Sequence, residues 1–211
     1  MPLGAMRLRI HLSMINRREL LALAPALILP ACDSTPEKKA PEKAPEPVTG
    51  LHALYQMYTS ARVWAQDLQI LHYQSINIRE VPQQPGKAAA WQVVFASQAL
   101  MQSRTISFSV YEASATLHQG IFPDSPQPWS GGGKPFQLQA AKFDTDVVWE
   151  TALKHGADYN AKNAKMPITY TLAIEQGNEP MWRVIWGESA GESSFSVLVD
   201  ASTGDFVKIL H

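Results

Sequence analysis

The sequence predicts an α+β fold in which two repeats each consist of a helix followed by a three- to four-stranded antiparallel sheet. Apolar residues recur every three or four positions in two segments, which is typical of amphipathic helices. Apolar and polar residues alternate in several shorter segments, which indicates strands with one buried face. Similar segments also recur in the same order in the two halves of residues 51–211, and such repetition indicates related structural units.

The first repeat, residues 51–122, begins with a predicted helix. Six apolar residues at i+3 and i+4 spacing predict it: Leu51, Leu54, Tyr58, Ala61, Ala65 and Leu68. Alternating apolar residues then predict two strands, one with Trp91, Val93 and Phe95 and one with Ile106, Phe108 and Val110. Because each strand has one apolar face, the helix can cover that face of an antiparallel sheet.

The second repeat, residues 144–211, also begins with a predicted helix. Asp144 is a favourable N-cap. Lys154 and His155 precede Gly156, which predicts that the helix ends there. Alternation predicts three strands, with apolar faces formed by Ile168, Tyr170, Leu172 and Ile174, by Trp182, Val184 and Trp186, and by Phe195, Val197 and Val199.

Three sequence blocks relate the two repeats. Val63-Trp64 with Leu68 matches Val148-Trp149 with Leu153, Trp91–Phe95 matches Trp182–Trp186, and Phe108–Ser114 matches Phe195–Ala201. Residues 123–143 separate the repeats and contain four prolines and the run Gly131-Gly132-Gly133, which predicts a linker.

The second repeat resembles the PepSY domain. The resemblance lies in Trp182-Arg183-Val184, a polar loop, and a strand that ends in Asp200-Ala201-Ser202-Thr203-Gly204-Asp205. The first repeat lacks this Asp…Thr-Gly turn and resembles the family only through the internal repeat. The resemblance implies tandem domains with a cystatin-like fold, and a non-catalytic, extracytoplasmic role in binding or restraining peptidases.

Residues 1–31 are predicted to be a lipoprotein signal peptide. Four arginines precede the apolar run 20–29, which is too short to span a bilayer. Leu29-Pro30-Ala31-Cys32 resembles the lipobox of bacterial lipoproteins. The resemblance implies that the Cys32 thiol receives diacylglycerol, that cleavage precedes Cys32, and that the new N-terminus is acylated. A secretory signal with an incidental cysteine is the alternative.

The export route and the final membrane stay open. Asn16-Arg17-Arg18-Glu19-Leu20-Leu21 resembles a twin-arginine motif, while general secretion explains the arginines equally well. Met1, Met6 and Met14 are all possible starts. Asp33 resembles an inner-membrane retention signal, and the outer membrane is the alternative. Residues 32–50 comprise the lipidated cysteine and a tether rich in Pro, Glu and Lys. The protein is therefore predicted to lie in the cell envelope, anchored by lipid and facing the periplasm.

Charge and motif content exclude several classes of function. The formal net charge is −1, and it is −4 without residues 1–31, which argues against a nucleic-acid partner. The single cysteine excludes an intrachain disulfide and a cysteine-based zinc site. No pair of histidines has metal-ligand spacing, and Gly131–Lys134 fails the phosphate-loop pattern. We therefore expect no metal, no cofactor and no catalysis.

These observations predict a membrane-anchored binding module for an envelope protein or peptide, with a possible role in regulating peptidases. Trp129 is the candidate partner contact, because it lies in the linker without a periodic partner; packing between the repeats is the alternative. A terminal strand of the sheet could also accept an extended peptide. The alternative function is a carrier of a small apolar ligand or lipid, held between helix and sheet.

Overall fold

The structure is a computed structural model that describes residues 45–175 and 177–211. The signal peptide, Cys32, Asp33 and the first part of the tether therefore lie outside the described residues. The described chain contains helices α1 and α2 and eleven strands: β1 Val48–Thr49, α1 Gly50–Ala61, β2 Leu68–Ile76, β3 Lys87–Ala88, β4 Ala90–Ser97, β5 Gln102–Ser109, β6 Gly120–Pro123, β7 Gln127–Pro128, α2 Thr145–Lys162, β8 Ile168–Ala173, β9 Met181–Trp186, β10 Ser196–Asp200 and β11 Phe206–Leu210.

Nine of these strands form one antiparallel sheet. Its order is β11-β10-β9-β8-β2-β4-β5-β6, and β7 pairs with β5 beside this path. Each half of the chain runs from a helix into four successive antiparallel strands. The first strands of the two halves meet in the middle, where Tyr73 lies opposite Leu172 and Gln74 lies opposite Thr171. The fold is α+β, with a large antiparallel sheet and two helices, as the alternating sequence pattern predicts.

Both helices pack on the same face of the sheet, and aromatic side chains fill the space between them. Five of the largest buried side chains are at most 2% exposed: Trp91, Trp182, Trp186, Tyr73 and Tyr170. An aromatic side chain buries roughly 150–250 Å². At about 25 cal/mol per Å², each contributes an upper limit of about 4–6 kcal/mol before the loss of conformational entropy.

One of the matching sequence blocks, Trp91–Phe95 with Trp182–Trp186, occupies equivalent places in the two halves. Trp91 lies on β4 and Trp182 on β9, the second main strand of each half. The Trp91 indole N–H donates to the carbonyl of Val48 at 3.2 Å, and that of Trp182 donates to the carbonyl of Phe143 at 2.9 Å. Each acceptor precedes the first residue of its helix by two positions. The shared hydrogen bond ties each sheet half to its own helix N-terminus.

The other two sequence blocks do not align in the structure. Phe108 lies opposite Trp91, whereas Val199, and not Phe195, lies opposite Trp182. Val148 lies in the first turn of α2 and is fully buried, whereas Val63 follows the end of α1 and is 94% exposed. The predicted equivalence of these two segments is therefore wrong. A two-residue Val-Trp match carries too little pattern to distinguish a helix from the turn that follows one.

Both helices end at different residues from those predicted. The apolar spacing predicts that α1 continues to Leu68, but α1 ends at Ala61 and Leu68 is the first residue of β2. The predicted stop at Gly156 is also wrong, because α2 continues to Lys162. A Cβ atom on Gly156 would lie 3.1 Å from ring atoms of both Trp186 and Phe195. This glycine allows the helix to approach the sheet closely.

The predicted linker contains ordered, partly buried structure. Strand β7 pairs with β5, and the backbone of Phe136 exchanges two hydrogen bonds with Ile70 of β2 at 2.8 and 2.9 Å. Phe136 and Leu138 are both buried. The pairing between β2 and β8 is short. The predicted linker thus supplies hydrogen-bond partners for backbone groups of β2 that β8 does not reach.

Candidate functional site

The N-termini of the two helices meet at Asp144. Its Oδ1 atom accepts hydrogen bonds from the Thr145 amide of α2 and from the Leu51 amide of α1, both at 2.7 Å. The predicted N-cap is therefore confirmed, and it serves both helices. Thr49, at the N-cap position of α1, makes no side-chain capping bond of its own. A carboxylate at this point also interacts favourably with the positive ends of both helix dipoles.

Hydroxyl groups complete this polar cluster. Thr145 Oγ1 accepts from the Gly50 amide at 2.8 Å and donates to the Gly86 carbonyl at 2.6 Å. The Tyr73 hydroxyl donates to the Gly50 carbonyl at 2.6 Å. Burial, and secondarily the negative charge of Asp144, raise the pKa of Tyr73 well above its usual value. Every polar group named here is satisfied within the protein, so the cluster joins the two halves structurally.

The candidate binding site lies on the other face of the sheet, at the seam between the halves. We call it the junction groove. It has a volume of about 430 Å³, and its lining residues come from β2, β8, the segments that follow them and the β9–β10 loop: His72, Gln74, Ser75, Ile76, Asn77, Thr169, Thr171, Glu175, Glu188, Ser189 and Ala190. Neither helix covers this face, so the groove opens to solvent.

Hydrogen bonds hold the β9–β10 loop at one end of the junction groove. The Asn77 side-chain amide donates to Thr169 Oγ1 at 3.0 Å and to Glu188 Oε2 at 3.1 Å. Thr169 Oγ1 donates to the Gly187 carbonyl at 2.8 Å. These contacts join three segments that are distant in sequence, and they position Glu188 at the rim.

The junction groove is rich in hydrogen-bond acceptors and carries negative charge. Glu175 and Glu188 are exposed at its rim, and neither forms an ion pair within the described part of the chain. Gln74 lies on the floor, where His72 Nε2 and the Gln92 side chain are within 3.2 and 3.4 Å of its amide group. Such a surface can accept hydrogen bonds from a polar or basic segment of a partner.

Sequence reasoning missed the junction groove because it missed β2. A β-bulge between Ile70 and His72 shifts the strand by one residue. Tyr73, and not His72, consequently joins the buried face. The simple alternation that begins at Leu68 and Ile70 is broken at this point, so the segment does not show the expected strand pattern. The separation of the groove residues in sequence leaves no local motif either.

One cavity at the interface between α2 and the sheet is small. It has a volume of about 230 Å³ and lies between residues 83–87, α2 and β8. It is lined by Trp149, Met166, Ile168 and Tyr170 and by the polar side chains of Gln83, Gln84, Lys87 and Asn160. Pockets that hold drug-sized ligands are usually about 300–1,000 Å³. Burial raises the pKa of Tyr170 above its usual value, and the Tyr170 hydroxyl accepts from the Gly86 amide at 3.0 Å.

Trp129 lies away from the junction groove. It is half-buried, its amide donates to the Met101 carbonyl, and its indole N–H donates to the Gly132 carbonyl, both at 2.9 Å. Leu100 and Met101 beside it are 45% and 47% exposed. A role for Trp129 in partner contact stays a prediction.

Three carboxylates, those of Asp67, Glu112 and Asp200, have lowered pKa values, and they lie in three different turns. Hydrogen bonds from the Ser97 hydroxyl and the Ala99 amide lower the pKa of Asp67. A bond from the Gln119 amide and a second from His118 lower that of Glu112.

The Asp200 side chain accepts hydrogen bonds within the turn that follows β10. Burial acts to raise the pKa of Asp200, but hydrogen bonds from Ser202 and Thr203 outweigh it and lower the value. Gly204 has a φ of +77°, in the left-handed region that favours glycine. The aspartate thus stabilises its own turn.

No group of three or more metal-ligating side chains occurs in residues 45–175 and 177–211. In the same ranges, no helix combines the length and the apolar composition that crossing a membrane requires.

Comparison with known proteins finds little similarity. No protein-family profile and no curated protein matches the sequence. Among solved structures, the fold is similar to the crystal structure of a candidate lipoprotein from Clostridium difficile 630. The two chains are 9% identical, the match covers 80% of this chain and 95% of that chain, and the TM-score is 0.49.

Proposed function

We propose that this protein is a membrane-anchored, extracytoplasmic and non-catalytic module that binds a protein or peptide partner in the cell envelope. The observation that carries the proposal is the junction groove, an open, polar and acceptor-rich surface on the face of the sheet opposite the helices. A segment with basic or amide side chains is the partner chemistry that complements Glu175 and Glu188.

The packing between helices and sheet favours this function over the carriage of a small apolar ligand. That alternative requires an apolar pocket between helix and sheet, where Trp91, Trp182 and Trp186 are fully buried against neighbouring side chains. The cavity of about 230 Å³ beside Tyr170 is small and is lined partly by amide groups and a lysine. An open groove suits a macromolecular segment better than an apolar molecule that has to be shielded from water.

The anchor and the family assignment belong to the same proposal. Cys32 carries the acyl chains, and residues 33–44 connect it to the folded unit. Two or more acyl chains give stable membrane attachment, whereas one chain binds only marginally. Asp33 favours the inner membrane. The two helix-plus-four-strand halves correspond to tandem PepSY-like units, with a regulated peptidase as one class of partner.

Site-specific photo-crosslinking in cells tests the binding proposal. A Gln74→p-benzoylphenylalanine variant places the reactive group on the floor of the junction groove. A Glu150→p-benzoylphenylalanine variant places it on an exposed part of α2 and is the control. We expect a discrete cross-linked protein from position 74 and none from position 150. Equal labelling at both positions, or a non-covalently bound lipid retained by the purified protein in native mass spectrometry, would contradict the proposal.

Metabolic labelling with an alkyne analogue of palmitate tests the anchor separately. The wild-type protein should incorporate the label and sediment with membranes. The Cys32→Ser variant should lose both properties and keep its fold, because Cys32 precedes the described residues, which begin at Pro45. Label retained in Cys32→Ser would show that Cys32 is not the acylated residue.

A further inference from the structure

The two ends of the sheet differ in their ability to accept another strand. At one end, β6 has four residues and finishes at Pro123, and β7 beside it contains Pro128. Proline has no backbone N–H and prevents continuous pairing at a sheet edge. At the other end, β11 has five residues, Phe206–Leu210, and contains no proline. In the described sheet β11 pairs only with β10.

The register shows which backbone groups of β11 point outwards. The Trp186 amide donates to the Phe195 carbonyl, and the Asp200 amide donates to the Asp205 carbonyl. In an antiparallel sheet, successive residues of a strand bond to opposite neighbours. The even-numbered residues of β10 therefore bond to β11.

Lys208 and Leu210 lie opposite the even-numbered Leu198 and Ser196, so their backbone groups point towards β10. Ile209 between them directs its N–H and C=O away from the sheet. The register shift between Leu198 and Val199 makes Val207 the extra residue of a bulge, which limits regular pairing to the second half of the strand.

A groove runs beside this edge on the helix-covered face. It has a volume of about 420 Å³ and is lined by Lys154, His155, Gly156, Ala157, Asp158, Tyr159, Lys162, Phe195 and His211. The rings of Tyr159 and Phe195 stack at 4.4 Å, and that of His155 stacks on Phe206 at 3.7 Å. An added strand would direct alternate side chains towards this groove.

Positive charge lies on both sides of the edge. Lys154 and Lys162 line the groove on either side of Asp158. Lys208 pairs with Leu198 and therefore lies on the face of the sheet opposite the helices. None of the three lysines forms an ion pair with any residue in the described ranges. A second copy of the chain would bring the same lysines together at this edge, which is unfavourable.

We propose that β11 accepts an extended acidic segment of a partner protein as an added strand. The backbone of Ile209 supplies the inter-strand hydrogen bonds, and carboxylates of the added strand face Lys208 on one side and the Lys154–Lys162 groove on the other. Main-chain bonds of this kind give affinity, and the flanking side chains give specificity. The inference rests on the proposed function only in that the partner is a protein or peptide.

Fluorescence anisotropy with the full protein purified in detergent tests this inference. The probe is a fluorescein-labelled synthetic peptide of alternating glutamate and valine. A peptide of alternating lysine and valine is the charge control. We expect saturable binding of the acidic peptide, weakened roughly five- to tenfold in Lys208→Glu because reversing the charge replaces an attraction by a repulsion. Ile209→Pro should abolish binding by removing an outward N–H, whereas Ile121→Pro on β6 should leave it unchanged.

The outcomes separate this inference from the proposed function. Equal binding of both peptides, or acidic-peptide binding that survives both Lys208→Glu and Ile209→Pro, overturns strand addition at β11. A dimer in sedimentation velocity that Lys208→Glu dissolves also overturns it, in favour of a second copy. Cross-linking at position 74 with no peptide binding refutes the β11 site alone. Peptide binding without cross-linking at position 74 refutes the junction groove alone.

Discussion

Replacing Asp144 with alanine removes a carboxylate that caps both helices. Loss of the Thr145 hydrogen bond costs about 1 kcal/mol, the usual effect of deleting an N-cap side chain. The Leu51 amide is part-buried and loses its partner at the same time. An unsatisfied buried donor costs about 1–3 kcal/mol. We therefore expect Asp144→Ala to lower the free energy of unfolding by about 2–4 kcal/mol.

Chemical denaturation followed by tryptophan fluorescence measures this loss. For a domain of this size the corresponding fall in Tm is about 5–15 °C. Asp146→Ala is the matched control, because Asp146 Oδ1 accepts only from the adjacent Val147 amide and its loss should cost less than about 1 kcal/mol. Hydrogen exchange should quicken at the amides of both Leu51 and Thr145. A free energy of unfolding equal to that of Asp146→Ala would refute the shared cap.

Four further substitutions test the packing and the turns. Gly86→Ala should destabilise by about 2–5 kcal/mol in denaturation, because φ is +70° and the new Cβ would lie 2.4 Å from the Asp146 Cα. Gly120→Ala, with φ of +93° and open space around it, should cost only about 1 kcal/mol, and an equal cost at both glycines would contradict the packing argument. Tyr170→Phe should cost about 1–3 kcal/mol by leaving the Gly86 amide without its acceptor, and unchanged stability would exclude that role. Since hydrogen bonds hold the pKa of Asp67 below the usual 3.8, its charge stabilises the fold above that pH and this contribution is lost as the pH falls below it. Unfolding measured over the acidic range should therefore depend less on pH in Asp67→Asn, and identical profiles would argue against this effect.

Patterns formed by neighbouring residues predict much of the secondary structure. Alternation correctly places Tyr170 and Leu172 on the buried face of β8, and Trp182 and Val184 on that of β9. Alternation succeeds because consecutive side chains of a strand point to opposite faces whatever the strand pairs with. The capping role of Asp144 on α2 is also predictable from local sequence, because one of its hydrogen-bond partners is the next residue in the chain.

Helix length depends on contacts that the local pattern does not contain. Gly156 resembles a helix stop, but the rings of Trp186 and Phe195 require a residue without a side chain at that point of α2. Leu68 continues the helical spacing of α1, yet it pairs with Ser97 as a strand residue. In both places tertiary packing outweighs the local preference.

Local patterns in the chain predict the α+β class, five of the eleven described strands, and which faces of those strands are buried. All of these depend on residues within a few positions of one another. The tertiary structure alone decided that the two halves share one sheet, that Asp144 also caps α1, and where the grooves lie. The contact between Asn77 and Glu188 that shapes the junction groove joins residues 111 positions apart. A hydrogen bond across such a distance exists only after β2 and β8 have paired, and no periodicity in the chain encodes it.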